Sequence, residues 1–159
     1  MAINTQENAA GSIVYQTPIV TSVGGRDGSV RSGDGLLDLQ VGLPKEMGGT
    51  GGKTNPEELF AAGYAACFHS ALKRVAGEKK VTIGKSTVEA QVAIGPNPEG
   101  VGFRLSVKLH AILPEADLEA ANELVTGAHA ICPYSNATRN NIEVKLSVTP
   151  SDGAKHDVS

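Results

Sequence analysis

The hydrophobic positions of this chain follow two periods, and the alternation between them predicts its elements. From Ser12 to Val23 the residues Ile13, Val14, Tyr15, Ile19, Val20 and Val23 form a β-rich stretch broken by Pro18, as in an edge or bulged strand. Gly24-Gly25-Arg26-Asp27-Gly28 reads as a tight turn, with Ser29 to Gly33 returning. After Asp34-Gly35, Leu37, Leu39 and Val41 alternate with polar residues, which completes an antiparallel meander. Residues 42–54 are a glycine-rich loop. A helix is then signalled by Thr54 or Asn55 as N-cap, Pro56 at the first helical position and Glu57 and Glu58 in the first turn. It runs to about Gly77, with Lys73 and Arg74 suiting its C-terminal dipole. Its middle, Leu59 to Phe68, is apolar on every side, so the helix is expected to be buried all round, in a core or at a subunit interface.

Two further strands, Thr82–Ile94 and Phe103–Leu113, flank the turn 95–100. A second helix, Pro114 to about Ile131, carries Leu118, Ala121, Val125, Ala128 and Cys132 at helical spacing, so Cys132 continues its core-facing stripe. Pro133 to Asn140 suggests a short helical turn, and Ile142, Val144, Leu146 and Val148 alternate as a last strand. Residues 1–11 read as a loose arm and 150–159 as a flexible tail. The expected fold is one α+β domain over residues 1–159, two antiparallel sheet regions around a long buried helix.

Composition narrows the class. The 159 residues are 40% hydrophobic and 19% charged, with a formal net charge of −3, which favours neither nucleic acid nor an anionic membrane as partner. No basic segment followed by an apolar run opens the sequence, and no stretch approaches the roughly 20 apolar residues of a membrane span. A cytoplasmic setting is expected, and there a structural disulfide is improbable. The chain's 2 cysteines are therefore read as packing residues, metal ligands or reactive thiols.

Three constellations bear on this choice. Gly52-Lys53-Thr54 at a helix start resembles the end of a phosphate-binding loop, but Met47 stands where that motif needs its first glycine, so a plain loop is the better reading. Cys67, His69, His129 and Cys132 formally make a tetrahedral zinc set. Cys67 and His69, however, point about 200° apart on a helix and do not chelate together. Thiol chemistry needs a thiolate stabilised by a cation or helix N-terminus, and a second thiol to condense with the sulfenic acid formed by a peroxide. The cysteines alone leave inert packing as open as reactivity.

Longer motifs then enter. Gly24-Gly25-Arg26-Asp27-Gly28, the loop Pro44-Lys45-Glu46-Met47-Gly48-Gly49, the segment from Asn55-Pro56-Glu57-Glu58 to Ala66-Cys67-Phe68, and Cys132-Pro133-Tyr134-Ser135-Asn136-Ala137-Thr138-Arg139 occur in one order. Together they resemble the organic hydroperoxide resistance (Ohr) proteins of the OsmC-like superfamily, and the last of them resembles the Ohr branch. The resemblance implies an intertwined homodimer that reduces alkyl and fatty-acid hydroperoxides. It implies Cys67 as the peroxidatic cysteine, Cys132 as the resolving one, and Arg26 and Glu57 as their active-site support. It further implies recycling by the dihydrolipoamide of a lipoylated protein, with no metal or other cofactor. A zinc-binding or catalytically inactive ligand-binding relative of the same fold is the alternative.

Physical reasoning adds three expectations. Glu57 and Cys67 lie roughly 15 Å apart along one helix, too far for one arginine to serve both, so Arg26 and Glu57 of one chain are expected to meet Cys67 of the other. Leu59, Phe60, Tyr64 and Phe68 are expected to line an apolar pocket for bulky peroxides. Cys132, preceding Pro133 at a helix start, has the position that stabilises a thiolate, whereas Cys67 sits mid-helix. On helix position alone Cys132 would attack first; the resemblance assigns that role to Cys67.

Overall fold

The computed structural model describes residues 12–159, so the expected arm at residues 1–11 lies outside the described residues. The chain divides into two compact units, with the boundary between Asn55 and Pro56.

The first unit holds a three-stranded sheet of order β1-β2-β3. Its strands are β1 (Val20–Val23), β2 (Gly28–Ser32) and β3 (Asp38–Val41), paired antiparallel with Val20 opposite Ser32 and Gly28 opposite Val41. The β1–β2 turn is possible because Gly24 and Gly25 adopt φ of 82° and 61°, where a side chain would strain the backbone. Arg26 follows them in the same exposed turn. The second turn is locked by Ser32, whose hydroxyl donates to Asp34 at 2.6 Å and accepts from the Leu37 amide at 2.9 Å. The β-rich stretch expected from Ser12 orders as a strand only from Val20, just past Pro18, which has no amide to donate to a ladder.

The second unit is a helical layer on one face of a four-stranded sheet of order β4-β5-β6-β7. Helix α1 (Pro56–Lys79) begins at its proline and ends with Lys80 at φ 58°, where the Val81 amide bonds back to the Ala76 carbonyl at 2.9 Å. Strands β4 (Thr87–Pro96) and β5 (Phe103–Ile112) form a long antiparallel hairpin. Helix α2 (Leu118–Ile131) is capped by Asp117, whose side chain accepts from the Ala120 amide at 2.8 Å. A short helix α3 (Pro133–Thr138) leads to β6 (Val144–Thr149), and β7 (His156–Val158) closes the sheet. Tyr64, Phe68 and Leu72 of α1, Leu124 and Val125 of α2, and Val107 and Leu109 of β5 are closed into one core. Each such side chain contributes about 1.5–3 kcal/mol by leaving water.

Several expectations are corrected here. The larger sheet is mixed, because β6 runs parallel to β5, with Val107 opposite Val144; the α2–α3 crossover between them permits this. Residues 150–159 are not simply a tail, since β7 pairs antiparallel with β6 and covers what would otherwise be a sheet edge. Helix α1 is not buried all round in the single chain: Tyr64, Phe68, Ala71, Leu72, Val75 and Ala76 face the core, while Ala62, Ala66 and Ser70 are exposed. Leu118, expected in the buried stripe of α2, is 36% exposed, whereas Ala121, Val125, Ala128 and Cys132 are buried. Strand β4 starts at Thr87, beyond a loop that buries Ile83.

Candidate active site

Two helices of the second unit bring its cysteines together. Cys67 lies in the middle of α1 and is half-buried. Cys132 closes α2, its amide bonding to the Ala128 carbonyl at 2.8 Å, and serves as N-cap of α3. It is fully buried. Close packing of the two helices rests on Gly127, where an added Cβ would lie 3.0 Å from a Val75 methyl. The result is a Cys132 Sγ–Cys67 Sγ distance of 3.6 Å between two free thiols.

The electrostatics of Cys67 are mixed. Burial pushes its thiol up, the Tyr134 backbone N–H donates to the sulfur and opposes that rise, and neighbouring Cys132 raises it again. Tyr134 is the second residue of α3, so its N–H is one of the amides that a helix start leaves without an internal partner. The amide at the α3 start thus works on Cys67 against the effect of burial, and Cys132 makes no side-chain cap bond.

Around the sulfurs lies a polar chain that the sequence reading passed over. The Tyr64 hydroxyl sits 2.9 Å from Ser135 Oγ and 3.1 Å from Thr138 Oγ1, all three being buried. Ser135 Oγ is 2.8 Å from His129 Nδ1. Arg139 donates to the His129 carbonyl and to Asn136 Oδ1, tying α3 back to the end of α2. A signal for the chain was present: Tyr64 precedes Cys67 by three residues, and His129 and Ser135 lie three on either side of Cys132. Tyr134 rests on α1 because position 63 is glycine, where a Cβ would come within 2.7 Å of the tyrosine oxygen.

The other expected site residues distribute unevenly. Arg26 stands in the β1–β2 turn of the first unit, and Glu57, half-buried, in the first turn of α1. Helix α1 is unbroken, so Glu57 and Cys67 remain about 15 Å apart along it. Of the apolar residues, Tyr64 and Phe68 are core side chains, while Leu59 and Phe60 are half-buried. Phe60 borders a cleft of about 590 Å³ together with Phe103, Leu105, Thr138 and Ile142, and its ring packs edge-on against Tyr64 and Tyr134.

The zinc alternative finds little support in this geometry. His69 is engaged with Ser86 at 2.8 Å and His129 with Ser135. Among the described residues, no three His, Cys, Asp or Glu side chains are grouped to hold a metal ion. Among the described residues, too, no helix is long and apolar enough to cross a membrane.

Comparison with known proteins gives the family. The family described as OsmC-like protein matches residues 49–147. An organic hydroperoxide resistance protein of Xanthomonas axonopodis pv. citri is 46% identical over 137 residues, covering 85% of this chain and 95% of the relative. The organic hydroperoxide resistance protein OhrB of Bacillus subtilis is 48% identical over 134 residues, covering 83% and 96%. A crystal structure of an organic hydroperoxide resistance protein from Elizabethkingia anophelis superposes with a TM-score of 0.80 at 50% identity, covering 86% of this chain and 96% of that one. The chain belongs to the organic hydroperoxide resistance proteins of the OsmC-like family.

Proposed function

We propose that this protein reduces organic hydroperoxides to alcohols through a Cys67 sulfenic acid and a Cys67–Cys132 disulfide. The Cys67 thiolate attacks a peroxide oxygen; the O–O bond breaks and the alkoxide leaves as the alcohol after taking a proton. Cys132 sulfur then attacks the Cys67 sulfenic sulfur, an S–S bond replaces the S–O bond, and the hydroxyl departs with the Cys132 proton as water. A dithiol such as the dihydrolipoamide of a lipoylated protein returns both thiols by exchange and is itself oxidised to a disulfide. No metal or organic cofactor takes part, and the setting is the cytoplasm.

The observation that carries this reading is the 3.6 Å separation of the two sulfurs. A disulfide needs about 2.05 Å, so closure asks for side-chain motion of the order of 1.5 Å and no refolding. Access supports Cys67 as the first to attack: it is half-buried and the Tyr134 backbone N–H lowers its thiol pKa, while Cys132 is sealed in the core. Burial nevertheless disfavours the Cys67 thiolate, which a cation would correct. Arg26, held by Glu57 through charge-assisted bonds, supplies it from the partner subunit of a homodimer. Two features support the dimer. The exposed face of α1 is Ala62, Ala66 and Ser70, small enough for close helix approach. The first unit also exposes Val14, Ile19 and Val23 at 98%, 82% and 66%. Leu59 and Phe60 give the site an apolar wall suited to bulky peroxides.

Steady-state kinetics test the reading. With a lipoylated protein as reductant, cumene hydroperoxide should be consumed far faster than hydrogen peroxide, and thioredoxin should not replace that reductant. Equal rate constants for the two peroxides, or turnover retained in Cys67→Ser, would count against it.

A further inference from the structure

The hydroxyl chain beside the cysteines is continuous from Thr138 through Tyr64 and Ser135 to His129. Each hydroxyl owns a single proton, and a carbonyl only accepts. Thr138 Oγ1 donates to the Ser135 carbonyl at 3.2 Å. Its contact with Tyr64 must then be filled by the Tyr64 proton, the Tyr64–Ser135 contact by the Ser135 proton, and the Ser135–His129 contact by a proton on His129 Nδ1. In that order every contact of the chain is filled, with the His129 proton on Nδ1; in the reverse order the Ser135 carbonyl still accepts from the Arg139 amide at 2.9 Å, and Ser135 donates to His129.

This chain spans the same two elements as the proposed disulfide. Tyr64 stands one helical turn before Cys67 on α1, and Ser135 about one turn after Cys132 in α3. His129, three residues before Cys132, anchors the far end on α2. A bond from α1 to α3 thus runs alongside the gap between the sulfurs, and it is buried, where losing one partner is costly.

We propose that the His129–Ser135–Tyr64 chain is a positioning device for the resolving step: it holds α3 against α1 so that Cys132 meets the Cys67 sulfenic acid before a second peroxide does. Two fates compete for that sulfenic acid. Attack by Cys132 gives the disulfide and water; a second hydroperoxide gives the sulfinic acid and another alcohol. The ratio of the two reports how well the sulfurs are held. This inference rests on the two-cysteine reading above.

The experiment measures that ratio. Reduced wild type, Tyr64→Phe and Ser135→Ala are mixed with increasing cumene hydroperoxide, quenched with an alkylating agent, and weighed intact for disulfide and sulfinic forms. Formation of a disulfide in wild type tests the underlying reading by itself. In both variants, the peroxide concentration that gives half sulfinic product should fall about tenfold, the effect expected of one buried hydrogen bond at about 1.4 kcal/mol per decade. The double variant should fall no further than the deeper single one, since both cut one link. A purely structural role would lower the melting temperature and leave the ratio at its wild-type value, and that outcome overturns the proposal.

Discussion

From Pro56 onward the long side chains turn inward: Tyr64, Phe68, Leu72, Leu109, Leu113 and Leu124 have at most 1% of their surface exposed. Before that boundary Val41 is the buried large hydrophobe among the described residues, while Val14, Tyr15, Ile19, Val23 and Leu36 lie 66–98% open. A sheet so exposed on its apolar side has no core of its own, whereas the second unit has a complete one and carries both sulfurs. The difference separates two jobs. The second unit folds around the two sulfurs; the first leaves its apolar side chains open, with Arg26 in its hairpin turn.

Substitutions break that comparison in a graded way. Cys67→Ser should abolish peroxide consumption, by on the order of 10³-fold or more, because the nucleophile itself is gone. Next, Arg26→Ala, in the other unit, should cost on the order of 100-fold in the oxidation rate and move its pH profile. The sign is fixed: burial pushes the Cys67 thiol up, so without the cation the thiolate fraction keeps increasing with pH above the ordinary thiol range, where wild type has already levelled off. Stopped-flow oxidation rates against pH check this. Mixed Arg26→Ala and Cys67→Ser dimers should regain activity after verified subunit exchange, and no recovery rules out a shared site.

Stability should separate the units as well. Leu124→Ala, at 0% exposure, should cost about 2–5 kcal/mol in denaturant unfolding. Leu36→Ser, at 90% exposure, should stay within about 0.5 kcal/mol. Ile19→Asp should leave the second unit's core intact and shift the sedimentation coefficient toward monomer.

The smallest effect is electrostatic. Burial, the first cause in each, holds His69, His110 and His129 below the ordinary histidine value. The unfolded chain then binds more protons than the folded one, so stability is present above about pH 6.5 and lost as pH falls below it. Thermal unfolding between about pH 7 and 5 should show a decline that His69→Gln reduces.

What the sequence disclosed and what it hid divide along local and nonlocal lines. Pro56, Glu57 and Glu58 marked the start of α1, and the period of Ala121, Val125, Ala128 and Cys132 marked the buried face of α2, because these signals lie within a few residues. Strand direction carries no local signal, so the parallel β5–β6 pairing was missed. So was β7, where His156, Asp157 and Val158 are too few for a pattern and order by pairing with β6. The site was half legible. Motifs named Cys67 and Cys132, but helix position assigned the stabilising donor to Cys132, because it could not show that the Tyr134 N–H turns toward the other sulfur.

The central claim is that these two sulfurs form one redox pair within a chain. Intact mass spectrometry and thiol titration of reduced protein, before and after one equivalent of cumene hydroperoxide, test it most directly. The account predicts that both thiols disappear together, with a Cys67–Cys132 disulfide in the peptide map and one equivalent of cumyl alcohol released. Thiols that survive that equivalent, or a disulfide joining two chains instead, would contradict it.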